Sequence, residues 1–311
     1  MKKVLVTGAA GFLGSHLCDE LLEKGYSVVG IDNFFRGRPS NLPVNDNFEF
    51  YERDLTQDHF LKGIIEKHQP EIVFHYAAIN GTQYFYDIPN KVFDDNIEMT
   101  KNVMTAVKDT SVKKVVYTST SEVYGDKPPL PTGENHHIIL NVHSDRDSYA
   151  SSKAIGEFYV KLYAKSSGID YLILRPFNTY GSRMDGTKYG QVIPEFIRKM
   201  REDDKFVMIG DGTQTRSFCE VEDHKKLAVK LAEEVNNSIV NIGYDELISI
   251  YDLAKLIHKL DNKTFECEHL PNRDYDTQQR QPDISIIKDL FLDYKYIDLE
   301  TGLRRLLSET N

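Results

Sequence analysis

The chain has 311 residues, 40% of them apolar and 28% charged, with a net charge of −10. That length supports one large domain or two ordinary ones around a substantial core. The acidic balance argues against nucleic acid or an anionic membrane as the main partner, while leaving room for a small anion held by a few placed arginines.

Cys18, Cys219 and Cys267 show neither metal-ligand nor redox spacing, which suits thiols packed in a reducing cytoplasm. The apolar run in MKKVLVTGAAG stops at a glycine within a few residues, too soon for a signal peptide. No stretch reaches membrane-spanning length. The expectation is a soluble, cytoplasmic protein.

Short apolar runs alternate with helical patterns. KKVLVT (2–7) reads as a buried strand, GSHLCDELLEKG (14–25) as a helix with a glycine stop, and YSVVGID (26–32) as a second strand. A strand at 48–55, a helix at 58–68 and a strand at 71–78 follow. Residues 92–110 form a long helical pattern, 113–120 (KKVVYTST) a strand, 148–168 another long helix and 169–178 a strand. This alternation predicts a doubly wound parallel sheet of the Rossmann type. After about residue 176 Gly, Asp and Arg become denser. Helices such as VIPEFIRKM and IYDLAKLIHKL then predict a smaller α/β substrate domain. The expected division is 1–176 for the dinucleotide domain and 177–311 for the substrate domain, with a strand near 238–243 returning to the main sheet.

TGAAGFLG lies between the first strand and the first helix and places Gly8, Gly11 and Gly14 three apart. The first glycine permits a tight turn, the second lets the backbone approach a pyrophosphate, and the third lets helix and strand pack closely. The helix N-terminus offers free N–H groups to the anion. Strand two ends in Asp32, where a carboxylate bonds ribose hydroxyls and repels a 2′-phosphate, so NAD is favoured over NADP. Arg36 and Arg38 lie close by as counter-evidence.

In SYASSK, Tyr149 and Lys153 stand four apart and share a helix face. A phenol with its free pKa of about 10 is a poor base. A nearby ammonium and an oxidised nicotinamide would bring it toward neutrality, and Thr120 could hold a hydroxyl against the same oxygen.

These residues resemble the extended short-chain dehydrogenase/reductases that modify nucleotide sugars: epimerases, 4,6-dehydratases and decarboxylases. TGAAGFLG is similar to the family's glycine motif, and Thr120, Tyr149 and Lys153 match its catalytic trio. The resemblance places Phe12, Leu13, Asn33, Asp54, Leu55, Ala77, Ala78, Asn96 and Pro176 against the cofactor as well. It assigns Asn178 in RPFNTYG, Val192 in YGQVIP, Arg216 in FVMIGDGTQTRSF and Arg280 in RQPD to the sugar nucleotide. Thr82 and Ser121 would face the sugar. The implied first step is oxidation at C4, with Tyr149 taking the hydroxyl proton and NAD the hydride. The 4-ketone is then reduced on its other face, dehydrated, or decarboxylated.

Thr120-Ser121-Glu122 resembles the UDP-glucuronate decarboxylases and GDP-mannose dehydratases, with Glu122 at the C5–C6 end of the sugar. The alternative for Glu122 is a loop cap or an ion pair. NVHSDRDSY and RQPD also resemble the decarboxylases, whereas YASSK and AAINGTQYFYDIP (77–89) depart from them. A UDP-sugar 4-epimerase, a 4,6-dehydratase and a non-catalytic NAD-binding regulator stay open. His136, His137 and His143 precede the catalytic helix without a carboxylate or cysteine to complete a metal set, so they are expected to form a solvated or substrate-edge loop that contributes specificity. The resemblance further implies a homodimer through helices near 92–110 and 148–166.

Overall fold

The computed structural model describes residues 2–57, 59–187, 191–202, 206–271 and 278–309. Its frame is a seven-stranded, wholly parallel sheet. Six strands come from the first 176 residues: β1 (Lys3–Thr7), β2 (Ser27–Asp32), β3 (Phe48–Glu52), β4 (Ile72–His75), β5 (Lys114–Thr118) and β6 (Asp170–Pro176). The seventh, Ser238–Ile242, pairs in parallel with β6 and closes that edge. Spatial order from the opposite edge is β3-β2-β1-β4-β5-β6 and then 238–242, so the chain reverses direction between β1 and β4. A crevice at that switch point, beyond the strands' carboxyl ends, is where open α/β sheets bind ligands.

The sheet has helices on both faces, which is why its strands read as unbroken apolar runs rather than alternating ones. On one face α1 (Phe12–Glu23) and the 221–234 helix bury Leu17, Leu21, Leu227 and Leu231 against Val4, Val6 and Val28. On the other, α2 (Leu61–His68), α4 (Pro89–Ala106) and α5 (Asp147–Ser167) bury Ile65, Val103 and Val160 against Leu5, Val73 and Val115. Between β4 and α4 lies a one-turn helix, α3 (Tyr84–Asp87), which the sequence pattern did not announce. Helix α4 starts earlier than its apolar periodicity because Pro89 supplies the preset φ of a first turn. The β4 strand ends at His75 because Tyr76 and Ala77 turn aside to pack on Gly8.

Residues beyond 177 build a second apolar cluster from Ile193, Phe196, Phe206, Leu253, Ile257 and Leu303. Beside it a small sheet orders Leu247–Ser249, Thr215–Ser217 and Gln279–Arg280. Its register puts Arg280 directly opposite Arg216. Among the described residues no helix is long and apolar enough to cross a membrane.

Candidate active site

A cleft of about 990 Å³ runs along the carboxyl edge of the sheet, between the two apolar clusters. At one end the glycine turn forms a close cradle. Gly8 has φ of +71°, and a Cβ there would stand 2.7 Å from Ala77 N. A Cβ on Gly14 would lie 2.0 Å from the Gly8 carbonyl oxygen. Only hydrogen at both positions lets helix, turn and β4 converge. Gly11 meets nothing nearer than the Gly8 oxygen at 3.2 Å, leaving its outer side open to a ligand.

Asp32, at the tip of β2, accepts from Ala10 N at 3.0 Å and Phe34 N at 2.7 Å. Burial raises its pKa against those donors. Arg36 is drawn away from it, pairing with Asp185 at 3.4 Å and lying over the Tyr84 ring. Asn33 donates to Asp54 at 3.2 Å, and Thr56 fixes the other Asp54 oxygen. Phe12, Leu13, Leu55, Ala77, Ala78 and Pro176 complete this part of the wall. A glycine cradle at a helix N-terminus with an acid at the end of β2 fits a dinucleotide.

Asn96 is the exception among the expected cofactor residues. It is 2% exposed and does not line the cleft. Its Oδ1 accepts from Ile79 N at 2.7 Å, and its Nδ2 donates to Ile79 O and Ser152 Oγ. It braces the wall from behind, because its face of α4 points at the β4 loop and α5.

Further along, Thr120 caps a one-turn helix over Ser121–Tyr124, its Oγ1 accepting from Glu122 N at 3.2 Å. The Thr120 hydroxyl also lies on the side of the Tyr149 phenol that favours the phenolate, pulling its pKa down. Lys153 is 2% exposed, with its ammonium 4.2 Å from the centroid of the Tyr117 ring. Burial lowers its pKa to about 7, against the pull of Glu157. The Tyr149 phenol is buried as well. Burial, reinforced by Glu122, pushes the phenol well above its ordinary value, and Thr120 and Arg36 only partly oppose it. Both partners are desolvated, so each favours its neutral form.

Glu122 opens onto the cleft and sits among cations. Its Oε1 is 2.7 Å from Arg280 and its Oε2 3.4 Å from Arg146. Burial favours the neutral acid, but Arg280 and Arg146, with help from Arg216, win and hold the carboxyl at about 2. Asn178, at φ +39°, donates to Ser217 O at 2.9 Å and so ties β6 to the small sheet. Thr82, Ser121, Asn178, Val192, Arg216 and Arg280 all line the cleft. Tyr189 and Gly190 of YGQVIP lie outside the described residues. His137 and His143 are exposed and His136 half-buried.

Arg146 and Phe85 are among the cleft residues that escaped the sequence reading. Arg146 stands three before Tyr149, one helical turn away, a spacing that could have revealed it. Phe85 carried no local signal.

This fold, with its glycine cradle and cleft, is that of a dinucleotide-dependent enzyme. The chain belongs to the NAD dependent epimerase/dehydratase family, whose model matches residues 4–243. Its cofactor is NAD. A UDP-N-acetyl-alpha-D-glucosaminuronate decarboxylase from Bacillus cytotoxicus is 32% identical, covering 98% of this chain and 97% of the relative. A putative UDP-glucose 4-epimerase from Methanocaldococcus jannaschii is 35% identical, with 98% and 97% covered. A solved UDP-glucuronic acid 4-epimerase from Bacillus cereus, in complex with UDP-glucuronic acid and NAD, superposes with a TM-score of 0.87 at 32% identity, covering 98% of each chain.

Proposed function

We propose that this enzyme decarboxylates a UDP-linked hexuronate through a 4-ketone. The observation that carries the reading is the convergence, on one cleft, of Thr120, Tyr149 and Lys153 with the register-matched Arg216 and Arg280. We take residues 1–176 with the 238–242 strand as the dinucleotide domain and 177–311 as the sugar-nucleotide domain.

NAD, when bound, supplies a hydride acceptor and a fixed positive charge. Gly8, Gly11 and Gly14 would receive its pyrophosphate at the turn, and Asp32 would accept from its ribose hydroxyls. Tyr149 accepts the proton of the sugar's 4-hydroxyl, and the Thr120 hydroxyl favours its phenolate. Lys153, poised near neutrality, stabilises the phenolate when it forms. Arg216 and Arg280 grip the diphosphate. Once C4 is a ketone, a C6 carboxylate is β to it, so the C5–C6 bond breaks with its electron pair passing into the enolate and carbon dioxide leaving. A proton from water then adds to C5, and as the 4-ketone is reduced again Tyr149 gives its proton back to the C4 oxygen.

Glu122 serves by orienting Arg280 and Arg146 rather than by proton transfer. A carboxyl held at about 2 is neither an acid for a departing hydroxyl nor a strong base. That disfavours dehydration. A second reading, 4-epimerisation, draws on the epimerases among the relatives and needs the same residues. Phe158 and Leu162, 60% and 58% exposed on α5, suit the face of a homodimer.

The test is a panel of nucleotide sugars incubated with the purified enzyme, with products separated by anion-exchange chromatography against authentic standards and weighed by mass spectrometry. UDP-glucuronate or its N-acetyl analogue should lose carbon dioxide. An isomer of equal mass would install the second reading, and no turnover of any sugar would overturn both.

A further inference from the structure

The ring of Phe85 lies flat against the ring of Tyr149, with centroids 4.9 Å apart and planes 9° from parallel. Phe85 sits on α3, inside the segment AAINGTQYFYDIP (77–89) that links β4 to α4. It is 4% exposed, and it shares a closed apolar cluster with Ile79, Val92 and Tyr149. Its neighbour Tyr84 meets Phe35 at 5.6 Å and lies under the guanidinium of Arg36. The short helix is therefore held from both sides, between the loop after β2 and the catalytic helix.

A tyrosine held only by its own backbone can swing its ring and carry the hydroxyl away from a partner. A flat aromatic partner on one face restrains that swing, since an offset parallel pair loses its contact when either ring turns. The same face is also closed to water.

We propose that Phe85 is a positioning residue for Tyr149. Its stacked ring fixes the plane from which the phenol oxygen meets Thr120 and the sugar hydroxyl. This rests on the assignment of Tyr149 as the proton acceptor. Phe85 acts only through that ring.

The experiment compares Phe85→Leu and Phe85→Ala with the wild type, all NAD-loaded. The first readout is the phenolate titration of Tyr149. It is isolated as the near-ultraviolet absorbance difference between each protein and the same protein carrying Tyr149→Phe. It needs no substrate, so a wrong sugar or reaction branch leaves it intact. Phe85→Ala should lower the midpoint by about one pH unit or more, because water then reaches a buried phenolate. Phe85→Leu keeps the apolar volume and should shift it less. The second readout is turnover on whichever sugar the product panel identifies. Phe85→Leu should lower kcat about tenfold with KM within about threefold, the pattern of lost orientation rather than lost binding. Val92→Ala removes volume from the same cluster but keeps both rings. It should lower the melting temperature while leaving midpoint and kcat at wild-type values. A wild-type midpoint in Phe85→Ala would overturn the proposal. So would a Val92→Ala loss of kcat as large as that of Phe85→Leu.

Discussion

Replacing Glu157 by glutamine removes one charge from a pair that lies almost wholly inside the protein. Glu157 is on α5, one turn beyond Lys153, and accepts from Arg175 Nε at 2.8 Å and Nη2 at 2.6 Å. The side chains are 3% and 5% exposed, and Ser119 donates to the same carboxylate. Arg175 comes from β6 and lies over the Tyr124 ring at 4.8 Å. A surface pair of this kind contributes about 0–1 kcal/mol. Here the substitution strands a buried guanidinium, whose desolvation is no longer offset, and the expected cost is about 3–5 kcal/mol. At about 2 °C per kcal/mol for a chain of this size, the melting temperature should fall by about 6–10 °C. The double variant Glu157→Gln with Arg175→Met removes both charges and keeps an apolar chain against Tyr124. It should recover a large part of the loss, because the penalty lies in the unpaired charge rather than in a missing attraction. The assay is urea unfolding followed by circular dichroism, at fixed NAD content because a bound ligand adds its own stability. A cost below about 1 kcal/mol, the value of an exposed pair, would refute the reasoning. So would a double variant no more stable than Glu157→Gln alone.

Gly14→Ala should cost about 1–3 kcal/mol or more, since the new methyl would occupy the Gly8 carbonyl's space, and the purified protein should retain much less NAD by absorbance. Wild-type NAD content in that variant would mean that the turn is not the cradle. Glu122 gives a pH signature. Its folded carboxyl titrates at about 2 against a usual 4.5, so the stability it contributes is present above pH 4.5 and is lost as pH falls toward 2. Thermal melts of the wild type and Glu122→Gln should therefore converge as pH drops through that window, and a constant gap would show that its arginines do not hold the charge.

Much of the cofactor end was legible in the residues themselves. Gly8, Gly11 and Gly14 act within one turn of chain, so their spacing alone specifies the cradle, and Asp32 is placed by the end of its own strand. The strand–helix alternation likewise fixed a parallel sheet, because apolar period and length are local properties. Tyr149 and Lys153 share a face by helix geometry, whatever the rest of the chain does. The sugar end was legible only through resemblance.

Tertiary structure decided what depends on segments meeting from far apart. Asn96 faces inward to Ile79 because of how α4 packs against the β4 loop. Glu122 became the partner of Arg146 and Arg280 rather than an open acid only when the small sheet brought Arg280 opposite Arg216. Phe85 found Tyr149 through a one-turn helix that no periodicity announces. The protonation of Tyr149 and Lys153 was set the same way. Desolvation is a property of the walls around a group, and those walls are built by residues that the local sequence does not contain.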